Sequence, residues 1–173
     1  MVAADKLIDM PLLHRVSRDG VRFYSVSRGD YSRNYFVELK ATLDFFRLEY
    51  DLLSSAAIFC AAHCAQKFKF QIITTPPDSG VGESFAGAAA KLISREAGID
   101  FVKVFKNHEQ GKRKSIFQKL KSPIGFNFHR VIRGQRVLIF DDIAQTGRTM
   151  AGAIKALQAK NNQVGGMVLW IDG

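Results

Sequence analysis

Apolar and polar positions alternate loosely along residues 12–27, in LLHRV and then VRFYSV, on either side of Ser17-Arg18-Asp19-Gly20. A period of two interrupted by turn-forming residues predicts a β-hairpin. After the polar stretch SRGDYSRN the period lengthens. Phe36, Leu39, Leu43 and Phe46 recur at three- and four-residue spacing and an Ala-rich stretch runs from Leu52 to Ala65, so Tyr35 to Lys67 is predicted helical, as one helix or two. FKFQIITT at 68–75 is a short strand signal, halted by Pro76-Pro77-Asp78-Ser79-Gly80. A second helix is expected from Ser84 to Ala97, with Phe85, Ala88, Ala89 and Leu92 on one face and Gly98 as its stop. Phe101 to Phe105 reads as a strand. Arg136 to Phe140 is a buried-type strand followed by a loop. A helix from about Arg148 to Lys160, with Met150, Ile154 and Leu157 on one stripe, and a last strand GMVLWI at 166–171 complete the pattern.

Strands alternating with helices at this spacing predict an α/β fold, with a mostly parallel central sheet flanked by helices on both faces. The chain shows no internal repeat, low-complexity tract or linker, so residues 1–173 are read as one domain. Within it, 1–67 form the N-terminal hairpin and helices, and 68–173 form the core.

Composition narrows the classes. At 47% hydrophobic and 24% charged residues, the chain is neither disordered nor collagen- or mucin-like. The longest uncharged stretch, Leu52 to Gln66, falls short of the roughly 18 apolar residues of a membrane span. MVAADKLIDM lacks a basic region leading into an apolar run, so no secretory signal is read and a cytoplasmic location is expected. Cys60 and Cys64 flank His63 in CAAHC. With no second Cys/His pair to complete four zinc ligands, they are read as small buried thiols of a core helix, with no metal there.

Charge adds a direction. The net charge is +9, and residues 101–136 hold ten basic residues (Lys103, Lys106, Lys112, Arg113, Lys114, Lys119, Lys121, Arg130, Arg133, Arg136) against the single acid Glu109. That window carries the whole excess. It suggests an anionic partner, either the phosphates of a small molecule or a nucleic-acid backbone, against the plain alternative of a solvated loop.

The chemistry concentrates in VLIFDDIAQTGRTM, Val137 to Met150. An apolar strand delivers Asp141 and Asp142 at its carboxyl end, the edge where open α/β sheets bind ligands. A small polar turn (Ala144, Gln145, Thr146, Gly147, Arg148, Thr149) then opens a helix, and backbone N–H groups at a helix start cradle phosphate. Acids beside an anion site make sense for a sugar phosphate, with its diol on the carboxylates and its phosphate in the turn. A Walker-B strand would need a GxxxxGK[ST] loop before it, and none precedes. A receiver-type acidic pair would not call for the TGxT turn. An ordinary strand–turn–helix with a polar rim is the remaining alternative.

This segment resembles the PRPP-binding signature of type I phosphoribosyltransferases: an apolar strand, two acids, three variable residues and T-G-x-T. Strand, acids, Thr146, Gly147 and Thr149 match, and Gln145 departs from the small residue usual there. The resemblance implies that Asp141 and Asp142 face the ribose hydroxyls and can touch Mg²⁺, and that the Ala144–Thr149 turn holds the 5′-phosphate. It places Thr75, Pro76, Pro77 and Asp78 in a pyrophosphate-gripping loop, and Lys103, Lys106, His108 and Arg113 in a basic loop that serves the leaving group. Lys106 and His108 are the catalytic candidates of that loop. VKVFKNHEQGK is loosely similar to the catalytic loop of orotate phosphoribosyltransferases. The overall layout is most similar to ComF-type, competence-associated proteins, without their Cys-rich zinc motif. The implied activity is Mg²⁺-dependent displacement of pyrophosphate at ribose C1′ by a nitrogen nucleophile, with PRPP or a nucleoside monophosphate as ligand. The alternative is a catalytically silent relative that senses a sugar phosphate or binds nucleic acid through 101–136. A homodimer is expected, and the base pocket is expected from the N-terminal hairpin or a second subunit.

Overall fold

The strand signals converge on one sheet. The computed structural model describes residues 13–29, 52–77, 84–106, 126–144 and 146–172. Six strands, β1 (His14–Arg18), β2 (Val21–Gly29), β3 (Ile72–Thr74), β4 (Asp100–Phe101), β5 (Arg136–Ala144) and β6 (Gln163–Asp172), lie in the order β1-β2-β6-β5-β3-β4. All neighbours are parallel except β1 and β2. The helices are α1 (Leu52–Lys67), α2 (Phe85–Ala97) and α3 (Arg148–Gln158). This is the mostly parallel, helix-flanked sheet expected of a type I phosphoribosyltransferase-like fold. No helix among the described residues is long and apolar enough to cross a membrane.

Local chemistry explains the elements. Asp19 (φ 51°) and Gly20 (φ 76°) both take positive φ, the two-residue turn whose twist suits a hairpin. Ser17 and Arg18, expected in the turn, belong to β1. The hairpin extends the sheet itself, because β2 runs parallel to β6 from Tyr24↔Met167 to Gly29↔Asp172. In α2, Ser84 accepts a hydrogen bond from Gly87 N at 3.1 Å, and Gly98 (φ 67°) ends the helix as the sequence reading expected. The buried stripe of α2 is Phe85, Ala86, Ala89, Ala90 and Ile93, so Ala88 and Leu92 sit at its margin rather than its centre. α1 ends with Lys69 in the left-handed region, Phe70 N donating to Ala65 O and Lys69 N to Gln66 O.

Beyond the hairpin, four strands differ from expectation in length, the last, β6, running Gln163–Asp172 rather than 166–171. β3 keeps only Ile72–Thr74, and β4 only Asp100–Phe101, with a separate antiparallel bridge at Phe105↔Phe128. β5 runs four residues past Phe140, to Ala144, because β6 stays paired with it through Asp141↔Val168, Ile143↔Trp170 and Ala144↔Ile171. The expected helix at 35–51 lies outside the described residues.

Alternation along the strands builds two cores. Ile73, Leu138, Phe140 and Met167 pack with α1 and α2, while Ile72, Val137, Ile139 and Val168 pack with α3 on the other face. Cys64 is fully buried in the first core and Cys60 partly so. Burial pushes the Cys64 thiol up to about 12, aided by the neighbouring Cys60, and raises Cys60 as well. Both stay neutral thiols.

Candidate functional site

The topology selects the site. From β3 the chain crosses through α2 on one face to β4, outward in one direction; from β5 it crosses through α3 on the other face to β6, in the opposite direction. Between β3 and β5 the strand order therefore reverses, and in open α/β sheets the carboxyl ends of the strands at such a reversal are where ligands bind. β3 pairs with β5 only as far as Thr74↔Ile139. Thr75, Pro76 and Pro77 then leave the sheet, and Phe140–Ala144 continue with β6 as their partner strand.

Both acids lie in that extension, inside the strand rather than in a loop after it. Asp142 is only 8% exposed, and its Oδ1 accepts from Ile143 N at 2.7 Å. Asp141 is half-buried, and its Oδ1 accepts from Asp142 N at 2.9 Å. A buried carboxylate needs such donors to offset its lost hydration. The strict in–out alternation of β5 breaks at these residues: Ile143 packs with the α1–α2 core and Ala144 with the α3 core. Ala144, expected to begin the turn, closes the strand with its side chain buried.

The turn into α3 follows. Thr146 is exposed, and its Oγ1 accepts from Arg148 N at 3.4 Å. Gly147 is the N-cap, with φ 70° and no side-chain cap. A Cβ on Gly147 would lie 2.6 Å from Phe23 Cζ and 3.1 Å from Arg18 Cγ, so the close approach of the hairpin also requires glycine. Arg148 and Thr149 are half-buried in the first turn of α3. The helix start presents its first N–H groups and the positive end of its dipole, an arrangement that receives an anion.

The remaining candidates fall into two groups. Pro76 is buried and Thr75 and Pro77 are half-buried at the end of β3, on the same sheet edge as the acids. Lys103 and Lys106 are exposed just beyond β4, at the same edge but two strands from β5, about 10 Å away at ordinary strand spacing. Gln145, Asp78, His108 and Arg113 lie outside the described residues, as does the basic segment 107–125. The ends of that segment are held together: Lys106 N donates to Asn127 O at 2.8 Å and His129 N to Val104 O at 2.8 Å. His129 is exposed.

Sequence reasoning missed three residues here. Thr74 is fully buried, and its Oγ1 accepts from Val104 N at 3.3 Å, tying the end of β3 to the stem of the basic segment. Phe23 and Arg18 line the α3 turn from the hairpin. The alternation that predicted the hairpin carried no information on where it docks.

Two carboxylates held by backbone N–H groups do not make a metal cage, and no cluster of three His, Cys, Asp or Glu that could hold a metal occurs among the described residues. The donor set suits a Mg²⁺ ion that arrives with most of its oxygen ligands already supplied by a polyphosphate and water.

A family model described as the phosphoribosyl transferase domain matches residues 54–173, the segment running from α1 through both crossovers to the end of β6. A purine phosphoribosyltransferase from Pyrococcus horikoshii is 20% identical, with 66% of this chain and 69% of that one covered at a TM-score of 0.42. Adenine phosphoribosyltransferase from Thermoanaerobacter pseudethanolicus is 15% identical, covering 92% and 95% at 0.45. The Saccharomyces cerevisiae adenine enzyme, solved with an imino-altritol bisphosphate and adenine, is 18% identical, covering 92% and 83% at 0.47. A comparison with curated protein sequences gives no match.

Proposed function

Since this chain belongs to the phosphoribosyl transferase family, we propose that it binds PRPP and transfers the phosphoribosyl group to a nitrogen nucleophile. The observation that carries this reading is the pairing of twin acids with a glycine-capped helix start beside the point where the strand order reverses. The acids suit a vicinal diol, and the helix start suits a phosphate.

In this reading Asp141 and Asp142 accept hydrogen bonds from the ribose hydroxyls, while Gly147–Thr149 and Thr146 hold the 5′-phosphate. The sugar fixed at both ends presents C1′ to the acceptor. The C1′–O bond breaks with its electron pair leaving on pyrophosphate, a C1′–N bond forms, and the nitrogen gives up a proton. Thr75, Pro76, Pro77 and Asp78 wrap the pyrophosphate. Lys103, Lys106, His108 and Arg113 bring positive charge to it and shield the site from water. Asp141 or Asp142 would hold a Mg²⁺ ion that came with the substrate, and the ion would supply positive charge against the departing pyrophosphate.

The test is release of pyrophosphate from PRPP with Mg²⁺ and a panel of bases, amines and orotate. Release with at least one acceptor supports transfer. Silence across the panel, with no PRPP binding by calorimetry, removes the reading. A second reading, nucleic-acid binding without turnover, rests on Lys103, Lys106, Arg130 and Arg133, all exposed at the two ends of the basic segment. It requires affinity that falls steeply with salt.

A further inference from the structure

From the packing at Gly147 we infer that Arg18, on the β1–β2 hairpin, is a phosphate-binding residue of the sugar-phosphate site, so that the hairpin forms a second wall of that site. This deepens the reading above and rests on it. The Cγ of Arg18 lies 3.1 Å from the position a Gly147 Cβ would take, and the Phe23 ring fills the space beside it at 2.6 Å. The aliphatic stem of Arg18 is thus laid along the turn that opens α3, while the residue as a whole is exposed. Its guanidinium, three bonds beyond Cγ, is within reach of the solvent side of that turn.

The hairpin holds this stem in place. Arg18 pairs with Val21 across the Asp19–Gly20 turn, so its backbone is fixed by the tightest part of the hairpin. Phe23, fully buried, anchors the same hairpin in the α3 core. Its Cβ lies 3.0 Å from where a Gly166 Cβ would stand, so the ring spans from β6 to Gly147. A planar cation with its stem packed and its fork in water is suited to two-point contact with a phosphate monoester. The helix N–H groups would bind that group from one side and the guanidinium from the other.

The test compares wild type, Arg18→Ala, Arg18→Lys and, as a charge-loss control, Arg95→Ala, an exposed arginine in the last turn of α2. Each is titrated calorimetrically with ribose 5-phosphate and with ribose, after thermal melting confirms folding. The expected result is about a ten- to hundredfold weaker affinity of Arg18→Ala for ribose 5-phosphate, the usual worth of a hydrogen-bonded charge. Partial recovery in Arg18→Lys, no change in Arg95→Ala and no effect on ribose binding are also expected. Equal ribose 5-phosphate affinity in Arg18→Ala and Arg95→Ala, or tighter binding once the stem is removed, overturns the assignment and leaves the PRPP reading standing. Failure of the wild type to bind ribose 5-phosphate and PRPP overturns both.

Discussion

Helices α2 and α3 each follow a parallel strand of the same sheet, on opposite faces, yet they begin in contrasting ways. α2 caps itself: Ser84 Oγ accepts from Gly87 N at 3.1 Å and closes off the helix start. α3 opens on Gly147, which has no side chain to offer, and the strand before it brings two acids instead of a plain apolar end. A helix start satisfied by its own side chain has no use for a ligand. At α3 the N-cap offers no side chain and only Thr146 Oγ1 accepts, from Arg148 N at 3.4 Å, which under the proposed reading leaves N–H groups for the 5′-phosphate.

The sharpest way to break the comparison is to remove the acids. Asp141→Asn combined with Asp142→Asn keeps an oxygen acceptor for the Asp142 and Ile143 N–H groups, so folding should survive. Affinity for PRPP should fall by about a hundredfold or more, because two charge-assisted contacts are lost. Calorimetry with a melting control checks both halves. Next come the two left-handed glycines that flank these helices. At Gly147 a methyl group would meet Phe23 at 2.6 Å, whereas at Gly98, which has a similar φ, it meets nothing within 4 Å. Gly98→Ala should therefore cost about 1 kcal/mol, the left-handed backbone term alone. Gly147→Ala should cost about 2–4 kcal/mol, since overpacking adds to it, and should abolish ligand binding. Urea denaturation of the pair reads the difference directly.

Smaller effects sharpen the contrast. Ser84→Ala should destabilise by about 1 kcal/mol and lower Tm by about 2–4 °C, while ribose 5-phosphate affinity stays unchanged. Alkaline pH acts on the α1–α2 core through Cys64. The Cys64 thiol is raised from 9.0 to about 12 by burial, so the unfolded chain loses that proton first. The stability it contributes is intact below pH 9 and declines as pH rises toward 12. Cys64→Ala should flatten this decline in urea midpoints measured between pH 8 and 11, even if it lowers stability at neutral pH. Thiol-reagent titration at pH 8 should modify Cys60 faster than the buried Cys64.

Much of this was legible in the sequence because the signals were local. The hairpin turn ending in Asp19–Gly20, the Gly98 stop and the Met150–Ile154–Leu157 stripe each depend on residues within a few positions of one another. The DD…TGxT segment could be read for the same reason. What could not be read depends on distant partners. β5 runs on to Ala144 because β6 pairs with it there, and nothing in Val137–Phe140 encodes that length. The stripe of α2 is displaced to Ala86, Ala90 and Ile93 because its orientation is set by α1 and the sheet together. The meeting of Arg18 and Phe23 with Gly147 joins residues more than 120 positions apart, and hydrophobic periodicity carries no such information.

The central claim, that the α3 start and the twin acids jointly hold a phosphorylated pentose, is tested most directly by titrating ¹⁵N-labelled protein with ribose 5-phosphate. The account predicts saturable shifts of the amides of Asp141, Asp142 and Gly147–Thr149, with the Ser84–Gly87 amides unmoved. Shifts shared equally by both helix starts, or confined to neither, would contradict it.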